Sequence, residues 1–370
     1  MQKFIISSDT LLKELRKLKS LIPSNPVIPI LENFLFEIED GILRITASDL
    51  QTVASVELLA ESENLSIAIS ARVLVDTLSC LPSQPVTFSI YANNLLEILS
   101  DNGRYKIACE DAGDYPRPAV AKNTTSFLLD SNTLSTALNY TLFCVSSDDM
   151  KPAMNGVNLV CKDGKTEFAA TDSHRLTTFK TENGIDSKVA IIIPAKALLQ
   201  LKTMLPSQVS EIAIEYNDSN VFFNFGTTKI VARLIDEGYP DYKNVIPSSN
   251  DKILSIDRKQ LLDSLKRVSI YANKTSNQIS FTIANNNLLV TAEDVDFSNE
   301  AKENLPCNFE GSEIVIGFNG KFLSEMLANL PCDNVTFEFS KPNRAALLYD
   351  TDKIDDVLML VMPVMLNSSY

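Results

Sequence analysis

The sequence predicts an α+β protein built from three copies of one unit of about 123 residues. Its length of 370 residues exceeds that of one ordinary domain. Short sequence patterns recur at one spacing, and amphipathic segments alternate with β-type runs separated by turn residues. Because tight turns join the β-type runs, we expect antiparallel sheets.

Four sets of residues carry the repeat. The first is a basic residue that opens an amphipathic stretch ending in Leu-Pro, and its members Arg72, Lys196 and Lys321 lie 124 and 125 positions apart. The other sets share that period and comprise Leu11, Leu134 and Leu261; Asp49, Asp172 and Asp294; and Tyr115-Pro116, Tyr239-Pro240 and Met362-Pro363. Four markers with one period predict three domains, at 1–123, 124–250 and 251–370.

Each unit is predicted to contain two helices and about eight strands, arranged as two βαβββ halves. An extended apolar stretch leads into the first helix, for which Asp9 is the predicted N-cap in unit one. Hairpin turns are predicted at Asp40-Gly41 and Asp163-Gly164. The six predicted helices cover residues 10–21, 72–81, 133–143, 195–205, 258–268 and 321–330.

Composition excludes several classes of protein. No apolar run reaches the roughly 18 residues of a membrane span, and the N-terminus lacks the apolar core of a secretion signal. The six cysteines are scattered without a C-x-x-C pair, which fits reduced thiols in a cytoplasm. We therefore expect a cytoplasmic protein with neither metal nor cofactor, since no P-loop or G-x-G-x-x-G occurs either.

Charge is distributed unevenly along the chain. The net charge is −14, yet the six predicted helices carry twelve Lys and Arg residues against four Asp and Glu residues. If these helices share one face, that face attracts a polyanion while the rest of the surface repels it. The alternative is that short helices simply expose solvated basic side chains, and the uncharged third helix favours that alternative.

The stretch "ATDSHRL" (170–176) holds the only histidine, His174, between Asp172 and Arg175. This trio could be the centre of a small-molecule enzyme. However, Asp172 has repeat partners in Asp49 and Asp294, which favours a role in closing a turn. The chain has no second histidine and no nucleophile in a recognisable setting, and this argues against catalysis.

Taken in order, several motifs resemble the bacterial DNA sliding clamp, the β subunit of DNA polymerase III, along the whole chain. The motifs are "IPILENFLFEI" (28–38), "ATDSHRL" (170–176), "EGYPDYKNVIP" (237–247), "EIVIGFN" (313–319) and "VMPVMLN" (361–367). The resemblance implies a non-catalytic processivity factor: a head-to-tail homodimer with sheets outside and helices lining a hole for duplex DNA. It also implies docking of the DNA polymerase III catalytic subunit, the clamp loader, other polymerases and repair proteins through short peptide motifs.

The resemblance also assigns residues to sites. The wall of the peptide-docking site would comprise Met154, Thr171, His174, Arg175, Leu176, Pro240, Val245, Leu360, Met362, Pro363, Val364 and Met365. The DNA-facing residues would be Arg72, Lys196 and Lys321, with Lys13, Arg16, Lys17, Lys266 and Arg267 added from helix position alone. The dimer seam would join Arg104 and Tyr105, on an edge strand of unit one, to Ile270 and Tyr271 of unit three.

The chain departs from the family pattern in three places. Asn25 stands in a loop where the family often has a basic residue, and Asp148 and Asp149 make the loop before the docking site acidic. Residues 367–370 extend past the usual end of the chain and could reshape the mouth of the docking site. A monomeric β-rich scaffold that never closes remains a third hypothesis, beside the clamp and the enzyme.

Overall fold

The computed structural model describes residues 2–60, 62–182, 188–351 and 356–366. Within them the three repeats follow the predicted order of elements. Repeat 1 contains β1 (Gln2–Ser7), α1 (Ser8–Lys19), β2 (Asn33–Glu39), β3 (Ile42–Ser48), β4 (Thr52–Leu59), β5 (Leu65–Ser70), α2 (Ala71–Ser79), β6 (Pro85–Tyr91), β7 (Leu95–Leu99) and β8 (Arg104–Asp111). This is two βαβββ halves, as predicted.

Repeat 2 has the same two halves. Its elements are β9 (Thr125–Asp130), α3 (Ser131–Thr141), β10 (Gly156–Lys162), β11 (Lys165–Thr171), β12 (Arg175–Glu182), β13 (Val189–Pro194), α4 (Ala195–Met204), β14 (Glu211–Tyr216), β15 (Asn220–Phe225) and β16 (Thr228–Arg233). The hairpin turns predicted at Asp40-Gly41 and Asp163-Gly164 are both present, with φ of 52° and 79° in the first and 53° and 76° in the second. Both are therefore turns that require left-handed backbone.

Repeat 3 adds one short strand to the pattern. Its elements are β17 (Lys252–Asp257), α5 (Arg258–Val268), β18 (Gln278–Ala284), β19 (Asn287–Asp294), β20 (Asn299–Pro306), β21 (Asn308–Glu310), β22 (Ile314–Asn319), α6 (Gly320–Ala328), β23 (Asn334–Phe339), β24 (Ala346–Asp350) and β25 (Val357–Val361). The extra strand β21 pairs with one side of β17. No helix in the described residues is long and apolar enough to cross a membrane.

All six predicted helices are confirmed to within two residues, but the predicted N-cap of the first is wrong. Helix α1 begins at Ser8 with Ser7 as N-cap, and Asp9 lies in the first turn, where its charge suits the helix dipole. Tertiary contacts set this start: Ser8 N–H donates to Gln84 O at 2.8 Å, and Ser8 Oγ accepts from Gln84 N–H at 3.1 Å. The prolines of the three Leu-Pro pairs lie two or three residues after the ends of α2, α4 and α6.

The chain forms two compact bodies, Met1–Leu134 with Lys196–Leu234, and Ser135–Ala195 with Ile235–Tyr370. The first body contains a twelve-stranded antiparallel sheet, and the second contains a nine-stranded sheet and a four-stranded sheet. Repeat 2 is divided between the bodies because the sheets continue from one repeat into the next. The domain boundaries near residues 123 and 250 therefore stay a prediction.

Two strand pairings carry the sheets across repeats. In the first body, β4 of repeat 1 pairs with β16 of repeat 2, with Thr52 opposite Ala232. In the second body, β12 of repeat 2 pairs with β25 of repeat 3, with Arg175 opposite Val361. Both junctions thus join the last strand of a first half to the last strand of the following repeat's second half.

Each helix buries one apolar face on a sheet. In α1, Leu11, Leu15 and Leu18 recur at helical spacing and are at most 1% exposed. Stacked aromatic rings fill the core beside them: Phe4 and Phe88 lie 4.7 Å apart between centroids. Such burial is the main stabilising contribution to a fold of this kind.

We expect Gly164→Ala to reduce the free energy of unfolding by about 1 kcal/mol, because an added Cβ disfavours left-handed backbone. A Cβ at Gly164 would meet no atom within 4 Å, so backbone conformation alone determines the cost. Gly238→Ala is the matched control in the same body, since Gly238 is also surrounded by open space and does not have a positive φ. Equal urea midpoints for the two variants would contradict the assignment of the turn.

Candidate protein-docking site and nucleic-acid interface

The "ATDSHRL" segment forms a tight turn between β11 and β12. Asp172 Oδ1 accepts hydrogen bonds from the N–H groups of His174 and Arg175, both at 2.9 Å. Thr171 Oγ1 donates to Arg175 O at 2.7 Å, and Ser173 has a φ of 79°. The prediction that Asp172 closes a turn is confirmed.

Repeat 1 uses the same turn, whereas repeat 3 does not. Asp49 Oδ1 accepts from the N–H groups of Gln51 at 3.1 Å and Thr52 at 2.7 Å. The equivalent Asp294 is 3% exposed and its Oδ1 has no hydrogen-bond partner within the described residues. The turn after Asp294 is longer and ends at Ser298, which has a φ of 53°.

The side chain of Arg175 is buried and bonds to three segments of the second body. Its Nε donates to Asp172 Oδ2 at 2.9 Å and its Nη1 to Glu325 Oε2 at 2.6 Å. Its Nη2 donates to Phe143 O at 2.9 Å, and its guanidinium lies 4.5 Å from the ring centroid of Phe322. The side chain therefore joins the turn of repeat 2 to helix α6 of repeat 3.

These contacts determine the protonation states around Arg175. Burial alone would lower the pKa of Arg175, but the neighbouring Cys144 and the hydrogen-bonded carboxylates of Glu325 and Asp172 outweigh it, and the pKa is raised. Burial raises the pKa of the Cys144 thiol to about 12, so this group is a neutral thiol near neutral pH. Neither group is poised to exchange a proton.

The enzyme hypothesis gains no support from this geometry. Asp172 and Arg175 are engaged with each other, and the exposed ring of His174 stacks on Phe322 at 6.0 Å rather than on either of them. The described residues contain no group of three or more His, Cys, Asp or Glu side chains that could hold a metal ion.

An apolar cluster lies beneath the turn. Leu176 and Leu360 face each other across β12 and β25 and are 1% and 2% exposed. The cluster consists of Ala169, Leu176, Tyr242, Ala345, Leu347 and Leu360, with Tyr239, Ile246 and Leu358 packed against it. Leu176 and Leu360, together with the buried Thr171 and Arg175, thus support the predicted wall from below.

Other predicted wall residues reach the surface. His174, Val245, Met362 and Met365 are exposed, Val245 by 55% and Met365 by 74%. Met154, Pro240, Pro363 and Val364 are half-buried. Val245 ends a 3₁₀ turn that begins at the clustered Tyr242. Exposed Val and Met side chains above an apolar cluster form the kind of surface that anchors peptides.

The C-terminal segment 362–366, called the strap below, lies across the surface of the second body. Met362 N–H donates to His174 O at 2.8 Å, and Val364 N–H donates to Gly317 O at 2.9 Å. A Cβ on Gly317 would lie 2.5 Å from Val364 O, which explains the glycine in "EIVIGFN". Residues 367–370, which could reshape the mouth of the docking site, lie outside the described residues.

The repeat register assigned to Met362-Pro363 is wrong. Met362 N–H bonds His174 O in the way that Arg233 N–H bonds Gln51 O at 2.9 Å. Met362 therefore corresponds to Arg233, six residues before Tyr239. The match of Met362-Pro363 to Tyr239-Pro240 is therefore a coincidence of spacing, which the sequence alone does not distinguish from a true equivalence.

Sequence reasoning missed several residues of this region. Lys151 Nζ donates to Ser173 Oγ at 3.1 Å, and Ser173 Oγ donates to Met154 Sδ at 3.3 Å. Phe322 and Glu325, which hold Arg175, were also missed. The sequence shows only that these two residues lie three apart on one helix, and therefore on one face. It does not indicate that Arg175, 150 residues before Glu325, is their partner.

The predicted DNA-facing side chains are largely exposed, and several already have acidic partners. The observed helices carry twelve basic and five acidic residues, because α1 includes Asp9. The paired residues are Lys17 with Glu14, Arg72 with Asp76, Lys196 with Asp49, and Arg267 with Glu303. Arg16 donates to Ser79 Oγ at 3.4 Å. For Lys13, Lys266 and Lys321, the described residues offer no ion-pair partner within 4.0 Å.

Strand β8 is an edge strand over only half its length. Residues 104–108 pair with β7, and 109–111 pair with β5 on the other side. Arg104 and Tyr105 therefore lie where the described chain leaves one strand edge open. In the second body, β20 pairs only with β19 among the described strands, and the exposed Ile270 and Tyr271 follow helix α5.

Comparisons with known proteins identify relatives of the whole chain. Three family profiles match in succession: the N-terminal, central and C-terminal domains of the DNA polymerase III beta subunit, at residues 2–119, 128–241 and 243–365. The beta sliding clamp of Vibrio cholerae is 29% identical over 368 residues, covering 98% of this chain and 100% of that protein. The Pseudomonas aeruginosa beta sliding clamp is 28% identical over 367 residues, with the same two coverages.

Solved structures agree with these relatives. A crystal structure of the DNA polymerase sliding clamp of P. aeruginosa has a TM-score of 0.92 at 27% identity, covering 99% of this chain and 100% of that chain. A sliding clamp from Bartonella birtlesii bound to griselimycin has a TM-score of 0.94 at 25% identity, with the same coverages.

We expect Arg175→Met to reduce the free energy of unfolding by about 3–5 kcal/mol, because it leaves two carboxylates without their buried cation. Lys321→Met on α6 is the control, since this exposed lysine should change stability by no more than about 0.5 kcal/mol. Urea denaturation followed by circular dichroism measures both. Similar stabilities for the two variants would show that the Arg175 network is dispensable.

Proposed function

Because the chain belongs to the family of DNA polymerase III beta subunits, the bacterial DNA sliding clamps, we propose that two copies close head to tail around duplex DNA. As a sliding clamp it is a non-catalytic subunit that confers processivity on the polymerase. In the proposed ring of six repeats, the sheets lie outside and the helices line the hole. The protein would work on the chromosome in the cytoplasm.

The repeat pattern of strand pairing carries the proposal. Within the chain, β4 pairs with β16 and β12 pairs with β25, so each first half joins the next repeat's second half. Continuing this rule past repeat 3 would pair β20 with β8 of a second copy. Both strands have the open edge that this pairing requires, and open edges favour pairing with another chain.

The same rule suggests a register for the seam. The first residues of β4 and β12, Thr52 and Arg175, lie opposite Ala232 and Val361. Glu110 pairs with Ala68 as Ile235 bonds the equivalent Ile192, so Ile107 corresponds to Ala232. Applied to β20, the rule would put Asn299 opposite Ile107 and Ala301 opposite Tyr105. This register keeps the helix-facing side chains of both strands on one side, which a shift of one residue would not.

The charges on the helices suit a weak and mobile hold on DNA. Arg16, Lys13, Lys266 and Lys321 remain available to phosphates, whereas Lys196, Lys17 and Arg267 are partly neutralised by carboxylates. A ring holds DNA by topology, and each strong phosphate contact would add salt-dependent drag. We propose no base readout, because no helix is presented to enter a groove.

We also propose that the surface around Val245, His174 and Met362 docks short peptide motifs. Its partners would be the DNA polymerase III catalytic subunit, the clamp loader, other polymerases and repair proteins. Exposed Met side chains adapt to different partners, and backbone groups of the 362–366 strap and the Asp172 turn would orient the peptide. The rigid Arg175 network would keep this surface pre-formed.

Topological linkage predicts that the loaded protein stays on nicked circular DNA and leaves when the circle is cut. Small-angle scattering should first give a mass near twice 40.9 kDa with a hollow centre. Gel filtration of DNA loaded by the clamp loader then measures retention. Linear DNA blocked at both ends is the control and should retain the ring. Equal loss from circular and unblocked linear DNA would mean that affinity, not topology, holds the protein.

We expect Val245→Asp to weaken peptide docking about tenfold, because a carboxylate would enter the apolar anchor site. Fluorescence anisotropy with a labelled clamp-binding peptide of the DNA polymerase III catalytic subunit measures the affinity. Val209→Asp is the control, since Val209 is similarly exposed, by 66%, in the other body. Unchanged binding by the Val245 variant would refute the assigned docking site, while leaving the ring test unaffected.

A further inference from the structure

The turn between β19 and β20 differs from its two equivalents and exposes apolar side chains. Val295 and Phe297 are 77% and 74% exposed. The equivalent turns at Asp49 and Asp172 use the aspartate to bind backbone N–H groups, whereas Asp294 leaves Oδ1 buried and without a partner in the described chain. A turn that faces solvent gains nothing from exposed Val and Phe side chains, which points to an absent partner.

The two equivalent turns have such partners, and in both cases it is the second helix of the following repeat. Asp49 forms an ion pair with Lys196, at the start of α4. In repeat 2, His174 stacks on Phe322 and Arg175 binds Glu325, both on α6. Each junction thus joins a turn to the first turns of the next second helix.

Repeat 3 is the last of the three repeats, and in the proposed head-to-tail ring its turn would meet helix α2 of a second copy. Lys196 and Lys321 correspond to Arg72, and Phe322 therefore corresponds to Val73. Both positions are accessible: the Arg72 side chain is 90% exposed and Val73 is 45% exposed. The only ion pair of Arg72 within the described residues is a long one, 3.9 Å to Asp76.

The geometry of the strands also places this turn beside helix α2 of a second copy. Strand β5 pairs with residues 109–111 of β8 and continues directly into α2 at Ala71. An antiparallel β20 added along residues 104–108 would therefore begin where β5 becomes α2. The turn at the start of β20 would then abut the first turn of that helix.

We propose that the 295–298 turn is a second contact of the dimer seam, in which Phe297 packs on Val73 of a second copy. The exposed Asp296 provides the negative charge for Arg72 of that copy. This inference rests on the proposed head-to-tail ring. It assigns Arg72 to the seam, whereas its sequence position predicts a residue facing DNA.

Sedimentation equilibrium of the full-length protein without DNA tests the contact. Phe297→Ser and Val73→Ser should each weaken dimerisation about tenfold, and the double variant should be no weaker than either single variant. Phe297→Leu should retain most of the affinity. Leu59→Ser is the control, because Leu59 is 87% exposed at the end of β4, away from both open edges.

A charge exchange tests the polar part of the contact. Arg72→Glu should weaken the dimer, and adding Asp296→Arg should restore part of the loss. Additive effects of the Phe297 and Val73 variants, or a wild-type dissociation constant in either, would overturn this inference and leave the ring intact. A wild-type protein that is monomeric at every concentration would overturn the inference together with the ring.

Discussion

The buried guanidinium of Arg175 organises the second body. It donates hydrogen bonds to one carboxylate in its own turn, to one carboxylate in α6 and to a carbonyl in the segment after α3. Three elements from two repeats therefore bind the same cation. Bidentate and charge-assisted hydrogen bonds have strict geometry, which fixes the turn relative to the helix. The apolar cluster under β12 and β25 then lies at a fixed distance from the exposed Val245 and Met362. A docking surface of this kind needs little reorganisation to bind a peptide.

The two junctions between repeats differ in how much charge they bury. Burying an ion pair removes both charges from water, which costs free energy. The attraction between the charges offsets that cost only when their remaining polar groups are hydrogen-bonded. In the first body, the equivalent junction uses an exposed Lys196 against Asp49, a cheaper contact that needs no buried cation. The repeats therefore share a backbone plan, while the chemistry at each junction is adapted to a separate task.

The distribution of charge follows the same division of tasks. The basic helices carry carboxylates among their lysines and arginines, which weakens the field without abolishing it. A protein held on DNA by closure needs only enough positive charge to centre the duplex. In the proposed ring, the acidic strands and loops would repel DNA from the outside. The net charge of −14 is thus compatible with DNA as a ligand.

The sequence alone determined the three repeats, the six helices, the paired hairpin turns and the family. These features come from local patterns, namely hydrophobic periodicity, Asp-Gly turns and motifs repeated at one spacing. The role of Asp172 in a turn was also predictable from its repeat partners, although only Asp49 forms the same turn and Asp294 does not. By contrast, the true start of α1, the register of Met362 and the burial of Leu176 and Leu360 were decided by contacts between distant residues. The pairing of Arg175 with Glu325 and the tail over Gly317 belong to the same group. Such contacts arise from loop lengths and strand pairing, which fix which surfaces meet and leave no periodic trace in the chain.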